Sequence, residues 1–176
     1  IFTLTSMFAV ATASAYPVKP LRMIVPFPPG GGNDILARTV SQRLTEVVKH
    51  QVIVDNRGGA GGALGAQIAA SAAPDGYTLF LGSVGNLAQN PVLSAKPTYD
   101  PVRDFAAVTL LATSVFVLAV SNGLPAKSVN ELVALAKAKP GVLNYASAGN
   151  GSSLHLAAEI FKHATNTNIT HVPYKG

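Results

Sequence analysis

Apolar positions recur along this chain with two alternating periods. Leu21-Arg22-Met23-Ile24-Val25 is a short apolar run that predicts a strand. After Pro26-Phe27-Pro28-Pro29-Gly30-Gly31-Gly32, a stiff and then flexible loop, Leu36, Val40, Leu44, Val47 and Val48 return at three-to-four spacing. That spacing predicts one helical face through Lys49, with Asn33 or Asp34 as N-cap. Val52-Ile53-Val54 predicts the next strand. Asn56-Arg57-Gly58-Gly59-Ala60-Gly61-Gly62 then leads into an Ala-rich helix ending near Ala73, Pro74-Asp75-Gly76 turns the chain, and residues 77–81 predict a third strand. Strand, glycine loop and helix in repetition are the pattern of a parallel α/β sheet, which binds ligands at the carboxyl ends of its strands.

A loop-rich stretch over 82–104 interrupts the alternation, and residues 105–126 carry no charge at all. Rich in Val, Thr and Leu, broken at Ser114 and ended by Ser121-Asn122-Gly123, that run is too short for a bilayer helix of about 20 residues and predicts two buried strands. The alternation then resumes. Ser128-Val129-Asn130-Glu131 is a capping-box pattern opening a helix through Lys139, which Pro140-Gly141 ends. Residues 143–146 predict a strand, 147–152 a glycine loop, 154–164 a helix and 169–172 a strand. The expected organisation is a first lobe over 16–120 and a second over 121–176, with the crossover at 121–125.

Composition narrows the classes. The 176 residues hold 13 Lys plus Arg against 8 Asp plus Glu, a net charge of +5, and 48% are hydrophobic, which excludes bulk disorder. With no cysteine, there is no disulfide framework, thiolate zinc site or Cys nucleophile. The basic residues are scattered singly from Lys19 to Lys175, so the high isoelectric point does not read as nucleic-acid binding. His50, His155, His163 and His171 show no metal-ligand spacing and are expected at the surface or at helix ends; no metal or cofactor is expected. Residues 1–15 are uncharged and close on Ala13-Ser14-Ala15, the pattern of an export signal remnant cleaved after Ala15. The start of that signal and the C-terminal continuation beyond Val172-Pro173-Tyr174-Lys175-Gly176 are both expected to be missing from the chain.

The chemistry concentrates in two glycine loops that join a strand to a helix N-terminus, over 28–34 and 147–153. Unpaired N–H groups and the positive end of the helix dipole make such a place an anion site, with Gly31 and Gly151 as the residues expected to turn N–H groups to the anion. Phosphate motifs fail: the Walker pattern would put Ile35 at its second glycine, and a dinucleotide fingerprint starting at Gly59 and Gly61 would need glycine where Leu64 stands. The loop at 58–62 reads as structural, allowing close helix-to-sheet packing. Asp34 and Arg38, at i and i+4, read as an ion pair. A competing class is a secreted α/β esterase: Tyr145-Ala146-Ser147-Ala148-Gly149 approaches the G-x-S-x-G elbow, with Ser147 as nucleophile and His155 or His171 as base. Asn150-Gly151-Ser152 inserts loop where that elbow would begin its helix.

Several motifs in order carry a resemblance. Pro26-Phe27-Pro28-Pro29-Gly30-Gly31-Gly32-Asn33-Asp34 with Ala37-Arg38, Val54-Asp55-Asn56-Arg57 with Gly61-Gly62, and Pro74-Asp75-Gly76-Tyr77-Thr78-Leu79 resemble the Bug-type receptors of tripartite tricarboxylate transporters. The match continues through Tyr99-Asp100-Pro101, Asp104-Phe105, Gly149-Asn150-Gly151-Ser152 with His155-Leu156, and His171-Val172-Pro173-Tyr174-Lys175-Gly176. The resemblance implies a two-lobed α/β periplasmic binding protein of type II, the Venus-flytrap fold, acting as a monomer. Such a receptor captures a small carboxylate and passes it to a membrane permease, without enzymatic activity. Carried over, the ligand residues are Pro28, Pro29, Gly30, Gly31, Gly32, Asn33 and Asp34 in the first lobe and Ser147, Ala148, Gly149, Asn150, Gly151, Ser152 and Ser153 in the second, with Ser83 and Asn86 as side-chain contributors. Two departures stand out. Gly58 occupies a position where the family commonly has proline, a change expected to lie clear of the site, and the family's chains run on well past the His171 segment.

Overall fold

The computed structural model describes residues 16–174, so the expected export signal lies outside the described residues. Three parallel strands, β1 (Leu21–Val25), β2 (Val52–Asn56) and β3 (Thr78–Phe80), form a sheet in the order β2-β1-β3. Met23 pairs with Val54 on one side and Leu79 on the other. The central strand is the most apolar, and Ile24 and Val25 are fully buried. Burying side chains of that size stabilises the fold by about 1.5–3 kcal/mol each.

Helix α1 (Gly32–Val48) lays Leu36, Ala37, Val40, Leu44 and Val48 on the cluster of Leu21, Met23, Val25, Val52 and Leu81. Val47, expected on the same face, is 76% exposed and does not join that cluster. The helix stops where Lys49 turns left-handed and its N–H returns to Thr45 O. Neither Asn33 nor Asp34 is the N-cap: Gly31 is, in extended backbone without a side-chain cap. A 3₁₀ turn (Ala60–Gly62) leads into α2 (Ala63–Ala70), and Gly65 lets that helix close on the sheet, since a Cβ there would lie 2.8 Å from Pro26 Cα.

The second unit holds α4 (Val129–Ala138), β4 (Asn144–Ser147), α5 (Ser153–Thr165) and β5 (Thr170–Pro173), with β4 and β5 parallel. The N-cap half of the box forms, Ser128 Oγ accepting the Glu131 N–H at 3.2 Å, while the Glu131 carboxylate accepts the N–H of Lys127, one residue before the cap, at 2.6 Å.

One expectation is corrected. Residues 106–121 form no strand and are exposed, Val115 by 86% and Val117 by 81%. A β-branched run becomes a strand only where a neighbour completes its hydrogen-bond ladder, and none among the described residues does. The loop-rich stretch over 82–104 also carries a π-helical turn (Gly85–Gln89) that runs into α3 (Asn90–Leu93), and the buried Tyr99 hydroxyl donates to Asn86 O. No helix among the described residues is long and apolar enough to cross a membrane.

Candidate functional site

The first glycine loop leaves the central strand at its carboxyl end, beside the loop after β3. Gly30 has φ +93°, a conformation that favours glycine. Beyond it, the N–H groups of Gly31, Gly32 and Asn33 at the start of α1 meet no acceptor among the described residues. Asp34 serves the loop rather than the anion. Its buried carboxylate accepts from Arg38 Nε and the Gly30 N–H, both at 2.9 Å, and from Asn56 Nδ2 at 3.0 Å. The Arg38 guanidinium, then the Gly30 amide and the Asn56 side chain, hold its pKa down at about 2. Asn56 Nδ2 also donates to Phe27 O at 3.0 Å, so one polar cluster ties both ends of the loop to β2. Across from it, the Ser83 N–H donates to Asn86 Oδ1 at 2.8 Å. Ser83 Oγ and Asn86 Nδ2 are buried and have no hydrogen-bond partner among the described residues.

The second loop is held without a carboxylate. Ser147 Oγ, at the end of β4, accepts the Gly149 N–H at 3.1 Å and lies 2.6 Å from His171 Nε2. His155 Nδ1 accepts the Gly151 N–H at 3.2 Å, and Ser152 Oγ caps α5 by accepting the His155 N–H at 3.2 Å. The Gly151 amide, expected to face an anion, is therefore directed into the protein. Those of Asn150, Ser153 and Leu154 meet no acceptor among the described residues and are the donors on this side.

Of the histidines, His155 and His163 lie at the two ends of α5 as expected, whereas His171 departs from expectation by lying within β5. Parallel pairing sets His171 opposite Tyr145, and the first turn of α5 brings His155 over it. The imidazoles stack with centroids 4.2 Å apart, and Tyr145 covers the other face of His171 at 4.8 Å. Burial, reinforced by His155, lowers the His171 pKa. The Tyr145 hydroxyl donates to Glu159 at 2.5 Å, and burial followed by this carboxylate pushes its pKa up. His163 is exposed in the last turn of α5, as a helix-end residue.

The loop over 58–62 links the two candidate loops, a role its sequence did not disclose. A Cβ at Gly58 would lie 2.9 Å from Pro28 Cδ, so this position touches the first loop instead of lying clear of it. A Cβ at Gly61 would collide with Asn150 O and stand 3.0 Å from Ser152 N in the second. Gly85 is packed 3.0 Å from Ser153 Oγ by the same measure, and Asn90, which donates to Gly61 O at 3.2 Å, lies against Gly151. Bare backbone thus lets the carboxyl ends of the two sheets meet. Gly85 and Asn90 had no motif to mark them, and Gly61 stood in a motif that gave no hint of this contact.

Ser147 and His171 touch, as an esterase would require. Yet Ser147 is buried, the Gly149 N–H that could steady an oxyanion donates to the serine's own oxygen, and no carboxylate among the described residues hydrogen-bonds His171.

Residues 36–176 match the family described as "Tripartite tricarboxylate transporter family receptor". The chain belongs to this family. Protein BugT of Bordetella pertussis is 38% identical over 96% of the chain and 52% of its own length. Among solved structures, a periplasmic transporter is 46% identical with a TM-score of 0.84, over 92% of this chain and 54% of that one. An R. palustris protein solved with adipate is 37% identical, TM-score 0.79, over 92% and 54%. MatC from Rhodopseudomonas palustris, with bound malate, is 30% identical, TM-score 0.81, over 92% and 55%. The chain spans about half the length of these relatives. Family and neighbours are solute-binding receptors and not enzymes, so the Ser147–His171 contact is read as structural.

Proposed function

We propose that this chain supplies the carboxylate-gripping part of a periplasmic receptor, exported by cleavage after Ala15, that captures a small carboxylate as a monomer and hands it to a membrane permease. The observation that carries the reading is that two helix starts with open amides, at Gly31 to Asn33 and at Ser153 to Leu154, belong to loops that both pack on the 58–62 segment, the first through Pro28 against Gly58 and the second through Asn150 and Ser152 against Gly61. Nearby cations are already committed: Arg38 to Asp34 at 2.9 Å, Arg57 to Asp55 at 2.9 Å and Lys162 to Glu159 at 2.7 Å. An anion there is met by backbone dipoles rather than by a free guanidinium, which suits a carboxylate that must later be released. Ser83 Oγ and Asn86 Nδ2 add side-chain hydrogen-bonding capacity beside the first loop. Relatives solved with adipate and malate support a carboxylate as the anion.

The test is calorimetric titration of the full-length protein with malate and with adipate, joined to mass spectrometry of any ligand that co-purifies. Binding of at least one dicarboxylate, weakened about tenfold or more by Gly32→Pro, is the expected result. Retention of only a non-carboxylate ligand overturns the reading.

A further inference from the structure

We propose that His155 and His171 are positioning residues of the second loop, a stacked pair of neutral imidazoles that holds the loop's internal amides so that its outward ones face the ligand. The proposal rests on the carboxylate reading above. His155 Nδ1 accepts the Gly151 N–H at 3.2 Å, which requires an unprotonated Nδ1 and leaves the Nε2 proton toward Glu159 Oε1, 3.9 Å away. His171 Nε2 meets Ser147 Oγ at 2.6 Å, and that oxygen accepts the Gly149 N–H at 3.1 Å. Each ring therefore governs one glycine, His155 directly and His171 through Ser147, and the two glycines bracket Asn150.

The His155 bond depends on protonation. A proton on His155 Nδ1 turns an acceptor into a donor aimed at another donor, and charging both rings sets like charges about 4.2 Å apart. The ionisable groups facing the pair among the described residues are Tyr145 on β4 and Glu159 and Lys162 on α5. Glu159 is engaged by Lys162 at 2.7 Å and by the Tyr145 hydroxyl, which leaves it a weak counterion for the stack. Protonation of His155 thus releases Gly151 while Asp34 still holds the first loop.

The experiment uses full-length protein, calorimetry with malate and adipate, and two pH values, about 7.5 and about 5.5. The ligand's own titration is common to all variants, so the variant-to-wild-type affinity ratio at each pH is the readout. H155N, whose Oδ1 replaces Nδ1 as acceptor without titrating, is expected to bind within about twofold of wild type at the higher pH and about fivefold more tightly than wild type at the lower. H155A is expected to be about fivefold weaker at the higher pH. H171Q, which keeps a neutral partner for Ser147, should also flatten the profile. An H155N that falls as far as H155A and keeps the wild-type pH slope overturns the proposal. If wild type binds neither acid at either pH, the carboxylate reading fails on its own. Positioning is then decided on ligand-free protein by NMR: the Gly151 amide resonance must shift with pH in wild type and not in H155N, and a Gly151 signal that ignores pH in wild type overturns it.

Discussion

The two glycine loops have the same local plan, a parallel strand ending in a turn that opens a helix, and they are held in opposite ways. The loop after β1 is pinned by charge: Asp34 gathers Arg38, the Gly30 N–H and Asn56 around one buried carboxylate. The loop after β4 is pinned by a serine, two imidazoles and a side-chain N-cap from Ser152, with no carboxylate among them. The helix starts complement this difference. Gly31 caps α1 with no side chain and leaves its amides open, whereas Ser152 already satisfies one amide of α5. Similar sequence motifs therefore predict similar backbone but not similar electrostatics, and the two loops should fail under different conditions.

The sharpest break of the comparison comes where the loops meet. Gly61→Val forces a β-branched side chain into φ +62° and against Asn150 O, and it should cost about 3 kcal/mol and abolish carboxylate binding. Urea melts of the full-length protein check it; unchanged stability would mean that the two units do not touch there.

Removing the charge from one loop comes next. Asp34→Ala should free the Gly30 amide and release Arg38, weakening carboxylate affinity about tenfold while the melt stays cooperative. The same carboxylate, lowered to about 2 in the fold, contributes stability above its ordinary value near 3.8 that is lost as pH falls toward 2. His171, also lowered, contributes above its ordinary 6.5 and loses that contribution as pH falls through its depressed value. Hydrogen exchange followed from neutral to acid pH should therefore show the second loop opening first. Simultaneous opening would remove the distinction between them.

Caps give smaller effects. Ser152→Ala should destabilise by about 1 kcal/mol, read as a shift in urea midpoint at constant slope. Gly31→Ser, at a backbone conformation any residue adopts and with open space around its Cβ, should stabilise by only about 0.3 kcal/mol. Its hydroxyl would occupy an amide of α1, so affinity should fall even as stability rises; a gain in both would show that those amides do not meet the ligand.

Local pattern determined a good deal of this protein. The apolar run at 21–25, the helical stripe from Leu36 to Val48 and the helix capped by Ser128 each form within a residue or two of where the sequence puts them, because propensity, capping and burial agree there. The two loops were legible as anion sites because a strand, glycines and a helix start are contiguous in the chain. Tertiary structure decided the rest. Residues 106–121 have strand composition but no partner, and a ladder is a property of two segments. Gly151 was readable as an open amide until α5 brought His155 within 3.2 Å of it. His155 and His171, separated by a helix and a turn, become a stacked pair only through the parallel register of β4 and β5, and Gly61 meets Asn150 only when the two units pack. Contacts between residues far apart in sequence leave no periodicity, spacing or motif behind, since they are selected by the shape of the assembled fold and not by the chain's local preferences.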